Sequence, residues 1–97
     1  MEIEWADEAS ANLKSIFDYI AENNPVAASD TIDGIYAKVQ LLENQPNIGF
    51  VYKTQASKEI RIILYGHYKI AYTYILEQSI ISVLGVYHGA MDIQKYL

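Results

Sequence analysis

The arrangement of apolar and polar positions changes partway along the chain, from a helical period in the first half to an alternating one in the second. Residues 60–65, 68–76 and 80–87 are three runs dominated by β-branched and aromatic side chains, separated by Gly66-His67 and by Glu77-Gln78-Ser79. Such runs with short breaks predict consecutive strands paired antiparallel. In the middle run Tyr68, Ile70, Tyr72, Tyr74 and Leu76 share one face, and Lys69, Ala71, Thr73 and Ile75 share the other. Neither face is purely polar, which predicts a central strand. Glycine supplies the positive φ of a tight hairpin, so Gly66-His67 reads as a two-residue turn. The last run ends in His88-Gly89-Ala90-Met91-Asp92, and residues 93–97 are a helical turn or two at most.

Upstream, Glu2-Ile3-Glu4-Trp5 alternates polar and apolar, which predicts a short strand with Ile3 and Trp5 on one face, added to the same sheet. Asp7 and Glu8 lie where carboxylates favour a helix N-terminus. Ala9, Leu13, Ile16, Phe17 and Ile20 then form one apolar stripe, ended by Asn23-Asn24-Pro25. Asn24 can cap a following helix and Pro25 suits its first position. That helix carries Ala28, Ile32, Ile35, Val39 and Leu42 until Asn44-Gln45-Pro46. Two amphipathic helices with so short a link form an antiparallel hairpin, and their apolar side needs the sheet as its cover. The fold class expected is α+β: an N-terminal strand, then a two-helix hairpin packed on a twisted antiparallel sheet. Phe50-Val51-Tyr52 is expected as a brief strand or extended lead-in, and residues 53–58 as a polar, mobile loop.

Ninety-seven residues, 52% of them apolar, are expected to make one domain over residues 1–97. The absence of cysteine removes thiolate chemistry and disulfides, and fits a reducing cytoplasm. No apolar run approaches the ~20 residues of a membrane span, and no export signal opens the chain, so a soluble cytoplasmic protein without a membrane partner is expected. The net charge of −5 lacks the footprint of a nucleic-acid binder, and no direct nucleic-acid partner is expected. The charge is uneven: residues 1–43 carry nine acids and two bases, residues 44–97 three acids and five bases.

Candidate chemistry is sparse. His67 and His88 are the only histidines, and no ligand spacing suggests a metal or a cofactor. His88 with Asp92 could be an acid–base pair, with the carboxylate orienting the imidazole; the competing and favoured reading has His88 capping the strand end and Asp92 capping the short helix that follows. Arg61, the only arginine, could grip an anion bidentately, or could serve an internal pair or a solvated face. Lys69 on the neighbouring strand could share its face, making with Lys53 and Lys58 a small basic patch, though on an acidic protein such a patch is usually just a solvated face. The many tyrosines of the sheet suit packing with hydroxyls at the rim, or base stacking.

Taken in order, the opening strand, Ala9, Leu13, Ile16 and Tyr19, then Asn24-Pro25 and Ala27-Ala28, Leu42, Pro46, Ile48-Gly49, the Arg61 strand and His67-Tyr68-Lys69-Ile70-Ala71-Tyr72 resemble the RelE/ParE superfamily of toxins from bacterial type II toxin–antitoxin systems. The ending Val86-Tyr87-His88-Gly89-Ala90-Met91-Asp92 resembles the ParE branch. The resemblance implies the α+β fold already expected. It also implies a cognate antitoxin, ParD-like or other, that neutralises the toxin in a hetero-oligomer, and two competing activities. ParE-like members poison DNA gyrase by protein–protein binding; RelE-like members cut messenger RNA on the ribosome. For gyrase binding the candidate residues are Arg61, Lys69, Tyr87, His88, Met91 and Asp92. For a nuclease they are Arg61, Lys69, His88 and Tyr96, with Tyr87 a possible stacking partner. The chain has Tyr87-His88-Gly89-Ala90 where such an enzyme keeps an arginine, and its acidity disfavours docking on RNA, so the gyrase reading leads. A family member that has lost toxicity and persists as a binding module is the third reading.

Overall fold

A computed structural model describes residues 1–97. Strand β1 (Glu2–Trp5) leads into helix α1 (Asp7–Ala21) and then helix α2 (Pro25–Gln40), which tightens into a 3-10 turn at Leu41–Glu43. Strands β2 (Phe50–Gln55), β3 (Lys58–Tyr65), β4 (Tyr68–Ile75) and β5 (Ile80–His88) follow, and a last 3-10 turn spans Ile93–Lys95. The sheet order is β1-β5-β4-β3-β2. All junctions are antiparallel except β1–β5, which is parallel. That exception follows from connectivity, because the two helices return the chain to the same end of the sheet before β5 is laid down.

The local signals act as read. Asn24 Oδ1 accepts from the Ala27 N–H at 3.0 Å, with Pro25 at the first helical position. Gly66 turns with φ +56°, and Ser79 takes φ 53° in the next connection. β4 is the central strand, flanked by β3 and β5. On the helix side of the sheet, Ala9, Leu13, Ile35, Val39 and Leu42 pack with Ile63, Ile70, Tyr72, Ile81, Val83 and Val86, and Ile3 and Trp5 join from β1. A smaller cluster lies on the other side: Ile60, Ile62, Ala71, Tyr87 and Ile93.

Residues 53–58 are not a loop. β2 and β3 run to Gln55 and from Lys58, and Ala56 and Ser57 alone make the turn, with φ of 52° and 66°. A two-residue turn of that hand normally uses Asn-Gly, and neither residue type is present to signal it. β2 also breaks register between Val51 and Lys53, a bulge that lets one edge strand follow the twist of its neighbour. No helix is long and apolar enough to cross a membrane.

Candidate functional site

Arg61 lies in β3 opposite Tyr72 in β4, and both side chains point to the helix side. There they meet the connection between α2 and β2. Arg61 Nη1 donates to the Gly49 carbonyl at 2.7 Å and to that of Asn47 at 3.1 Å, while Nη2 donates to Glu59 Oε1 at 3.1 Å. The Tyr72 hydroxyl accepts from the Gly49 N–H at 3.0 Å and donates to the Pro46 carbonyl at 2.7 Å. Burial raises the Tyr72 hydroxyl pKa above its usual range, with the Gly49 hydrogen bond and the Arg61 charge opposing the shift. Gly49 fits because a Cβ there would lie 2.8 Å from the Ile62 carbonyl and from the Tyr72 ring. The guanidinium is therefore a clamp on a backbone turn. Its half-buried charge is balanced by carbonyls and Glu59, and it is not presented as a free anion ligand.

Lys69 does not join it. Lys69 pairs with Leu64 on one side and Tyr87 on the other, and it alternates with Ile70 and with Tyr72's face, so it stands on the opposite side of the sheet from Arg61. The expected shared basic patch is absent because strand alternation places an odd-numbered β4 residue away from the helices. A groove of about 550 Å³ beside Arg61 and Glu59 runs past Ala56, Ser57 and Lys58 to Tyr74 and Glu77.

His88 ends β5, exposed, paired with Tyr68 and lying edge-on to its ring at 5.5 Å. The His67 ring stacks beside it with centroids 6.2 Å apart, a neighbour that separation in sequence concealed. The 66–67 turn and the end of β5 meet because both flank the same end of β4. The two imidazoles are not part of any group of three or more His, Asp or Glu side chains able to hold a metal. His88 Nδ1 accepts from the Ala90 N–H at 3.1 Å. Next to His88, Ser15, Ile16, Tyr19, Ile20 and Tyr68 line a shallow cleft of about 380 Å³. Burial, then the nearby Tyr19 hydroxyl, raises the Tyr68 pKa.

Asp92 makes no hydrogen bond or ion pair with His88. Its Oδ1 accepts from the Gln94 N–H at 3.2 Å, the cap of the final turn, so the acid–base pair is replaced by the structural reading. Met91 and Asp92 are exposed. Tyr87 is wholly buried on the other side of the sheet from the helices, and Tyr96 stacks on it at 5.2 Å. Burial, then Glu8 and Tyr96, pushes the Tyr87 pKa up to about 12.

The residues named for cleavage thus divide. Arg61 pairs with Tyr72 and His88 with Tyr68, about 13 Å apart along β4 and on strands either side of it, while Lys69 and Tyr96 lie on the far face. The residue that sequence reasoning missed is Tyr72. A two-residue turn at 66–67 already pairs 61 with 72, and that arithmetic would have found it.

Residues 3–93 match the family described as the ParE toxin of the type II toxin–antitoxin system, parDE. No curated protein sequence matches the chain. A solved structure titled as the chromosomal ParDE toxin–antitoxin system from P. aeruginosa is similar in fold. It aligns with a TM-score of 0.69 at 20% identity, over 91% of this chain and 95% of that one.

Proposed function

We propose, for a chain that belongs to the ParE toxin family of type II toxin–antitoxin systems, that residues 1–97 act as one toxin domain that inhibits DNA gyrase by protein–protein binding and is neutralised by a cognate antitoxin. The observation that carries this reading is the family match over residues 3–93, reinforced by the likeness in fold to a ParDE system. The cytoplasm, where gyrase works, is the compartment the reading requires.

The geometry supports binding over cleavage. Cutting a phosphodiester requires a proton acceptor, a proton donor and charge stabilisation around one phosphate. Arg61 is engaged with backbone carbonyls and Glu59, Lys69 and Tyr96 lie across the sheet from it, and His88 lies at the other end. The net charge of −5 also supports a protein target over a polyanion. Among the C-terminal candidates, the exposed His88, Met91 and Asp92 are the contact residues of this proposal, with Lys69 at the opposite face. The antitoxin is expected to hold the toxin in a hetero-oligomer through a segment that orders on binding.

The test uses purified protein with gyrase and relaxed plasmid. Loss of supercoiling with accumulation of cleaved DNA, both reversed by the antitoxin, is the expected result. Growth arrest in cells with supercoiling and cleavage unchanged over a broad concentration range of the purified protein would overturn the gyrase target.

A further inference from the structure

The C-terminal segment covers part of the sheet's second face and is held there in an unusual way. Gly89 donates to the His67 carbonyl at 2.6 Å and Ala90 to His88 Nδ1, which anchors the exit from β5. Beyond that anchor, residues 92–97 make no hydrogen bond or ion pair to the rest of the chain. The amides of Gln94, Lys95, Tyr96 and Leu97 all bond within the segment itself, to Asp92 and Ile93. What holds it down is apolar contact. Ile93 is buried against Ile60, Ile62, Ala71 and Tyr87, Leu97 packs at the border, and the Tyr96 ring lies over that of Tyr87.

Closing the segment has a cost built into it. The Tyr87 hydroxyl is buried and has no hydrogen-bond partner, the one such side-chain atom in the protein. It lies over Gly85, where an added Cβ would approach it to 2.1 Å. A buried donor without a partner loses its water and gains nothing in return. Lifting the segment takes the Tyr96 ring off Tyr87 while breaking no directional bond to the strands. The antiparallel β4–β5 ladder that pairs Tyr87 with Lys69 is untouched by the motion, since the segment takes no part in it.

We infer that residues 92–97 are a releasable strap, swinging on Gly89 and Ala90, whose opening uncovers the apolar strip of Ile60, Ile62, Ala71 and Tyr87 without unfolding the sheet. Lys53, paired with Ile60, and Lys69, paired with Tyr87, border that strip. That strip of the second face is thereby closed in the strapped state and presents an apolar surface with a basic margin only in the released one. Tyr87 acts as the spring, because its hydroxyl favours release.

Residue-resolved amide hydrogen exchange on the full chain tests this, with Tyr87→Phe and Ile93→Ser as variants. In the unmodified protein the Lys95, Tyr96 and Leu97 amides are expected to be protected, yet to exchange at least about 100-fold faster than β4 amides, which follow global unfolding. Tyr87→Phe removes the orphan hydroxyl and keeps the ring, and should slow the strap amides by about threefold or more. Ile93→Ser should abolish their protection while β4 stays protected. Strap amides that exchange at the β4 rate would overturn the proposal, as would amides with no protection at all. So would a Tyr87→Phe chain whose strap exchanges no more slowly than the original.

Discussion

Arg61 and Tyr72 face each other across β3 and β4 and hold the Gly49 peptide from both ends: the guanidinium donates to its carbonyl and the phenol oxygen accepts from its N–H. With the bonds to Pro46 and Asn47, two side chains fix the entire connection that leads from α2 to the sheet edge. Hydrogen bonds made by a charged donor contribute about 1.5–3 kcal/mol each in favourable cases, and not additively. Arg61→Ala is therefore expected to cost about 2–3 kcal/mol in urea unfolding. Arg61→Lys should recover less than half of that loss, since one ammonium cannot span the two carbonyls and Glu59. An unchanged midpoint for Arg61→Ala would mean that the clamp is idle and the arginine free for another role.

Tyr72→Phe probes the other jaw. The ring and its packing in the core remain, while the Gly49 N–H, buried in the folded protein, loses its acceptor. An unsatisfied buried donor costs about 1–3 kcal/mol, so a loss of that size is expected in equilibrium unfolding. The Arg61→Ala and Tyr72→Phe losses should be less than additive in the double variant, because both act on one peptide.

How far these relations could be read beforehand depends on which physical rule each one obeys. The helices, their link at Asn24-Pro25 and the order of the meander follow from periodicity and capping, which are local properties of the chain. The side of the sheet that Lys69 occupies was equally local: alternation along β4 sets it against Tyr72, and hence against Arg61, once the turn at Gly66-His67 is accepted. The parallel junction between β1 and β5 and the meeting of His67 with His88 depend on how distant segments close up, and no window of sequence contains them. The burial of Tyr87 beneath Tyr96 and Ile93 belongs to the same class, since a strand ending in Val86-Tyr87-His88 gives no sign of what folds back over it. The β2–β3 turn was hidden for a different reason. Ala56 and Ser57 adopt a backbone conformation that their side chains disfavour, so the chemistry that normally marks such a turn is missing.

That turn carries its own prediction. Two consecutive non-glycine residues with φ of 52° and 66° store strain that Asn at the first position and Gly at the second would relieve. Replacing Ala56 by Asn and Ser57 by Gly together should raise stability by about 1 kcal/mol, offset in part by the freedom glycine adds to the unfolded chain. Thermal unfolding of the double variant checks this. A lower midpoint would show that neighbouring contacts, and not the turn's backbone, decide its conformation.

Alkaline pH should weaken the fold through its tyrosines, and the sign can be worked out from Tyr87. Burial favours the neutral phenol, so its pKa in the folded chain lies at about 12, above the ordinary value of 10.0 that the unfolded chain restores. Below about pH 10 both states keep the proton and the contribution is complete. Between pH 10 and 12 the unfolded chain releases its proton while the folded one retains it, and stability falls with each step upward. Two units correspond to about 2–3 kcal/mol for this residue. The raised values of Tyr68 and Tyr72 act in the same direction. Urea midpoints measured from pH 8 to 12 should therefore be flat at first and then decline. In Tyr87→Phe the decline should be visibly shallower, because the largest of the three contributions is gone while the ring still packs under Tyr96. A decline of equal slope in both proteins would assign the alkaline loss to the other tyrosines and place the Tyr87 hydroxyl in contact with water.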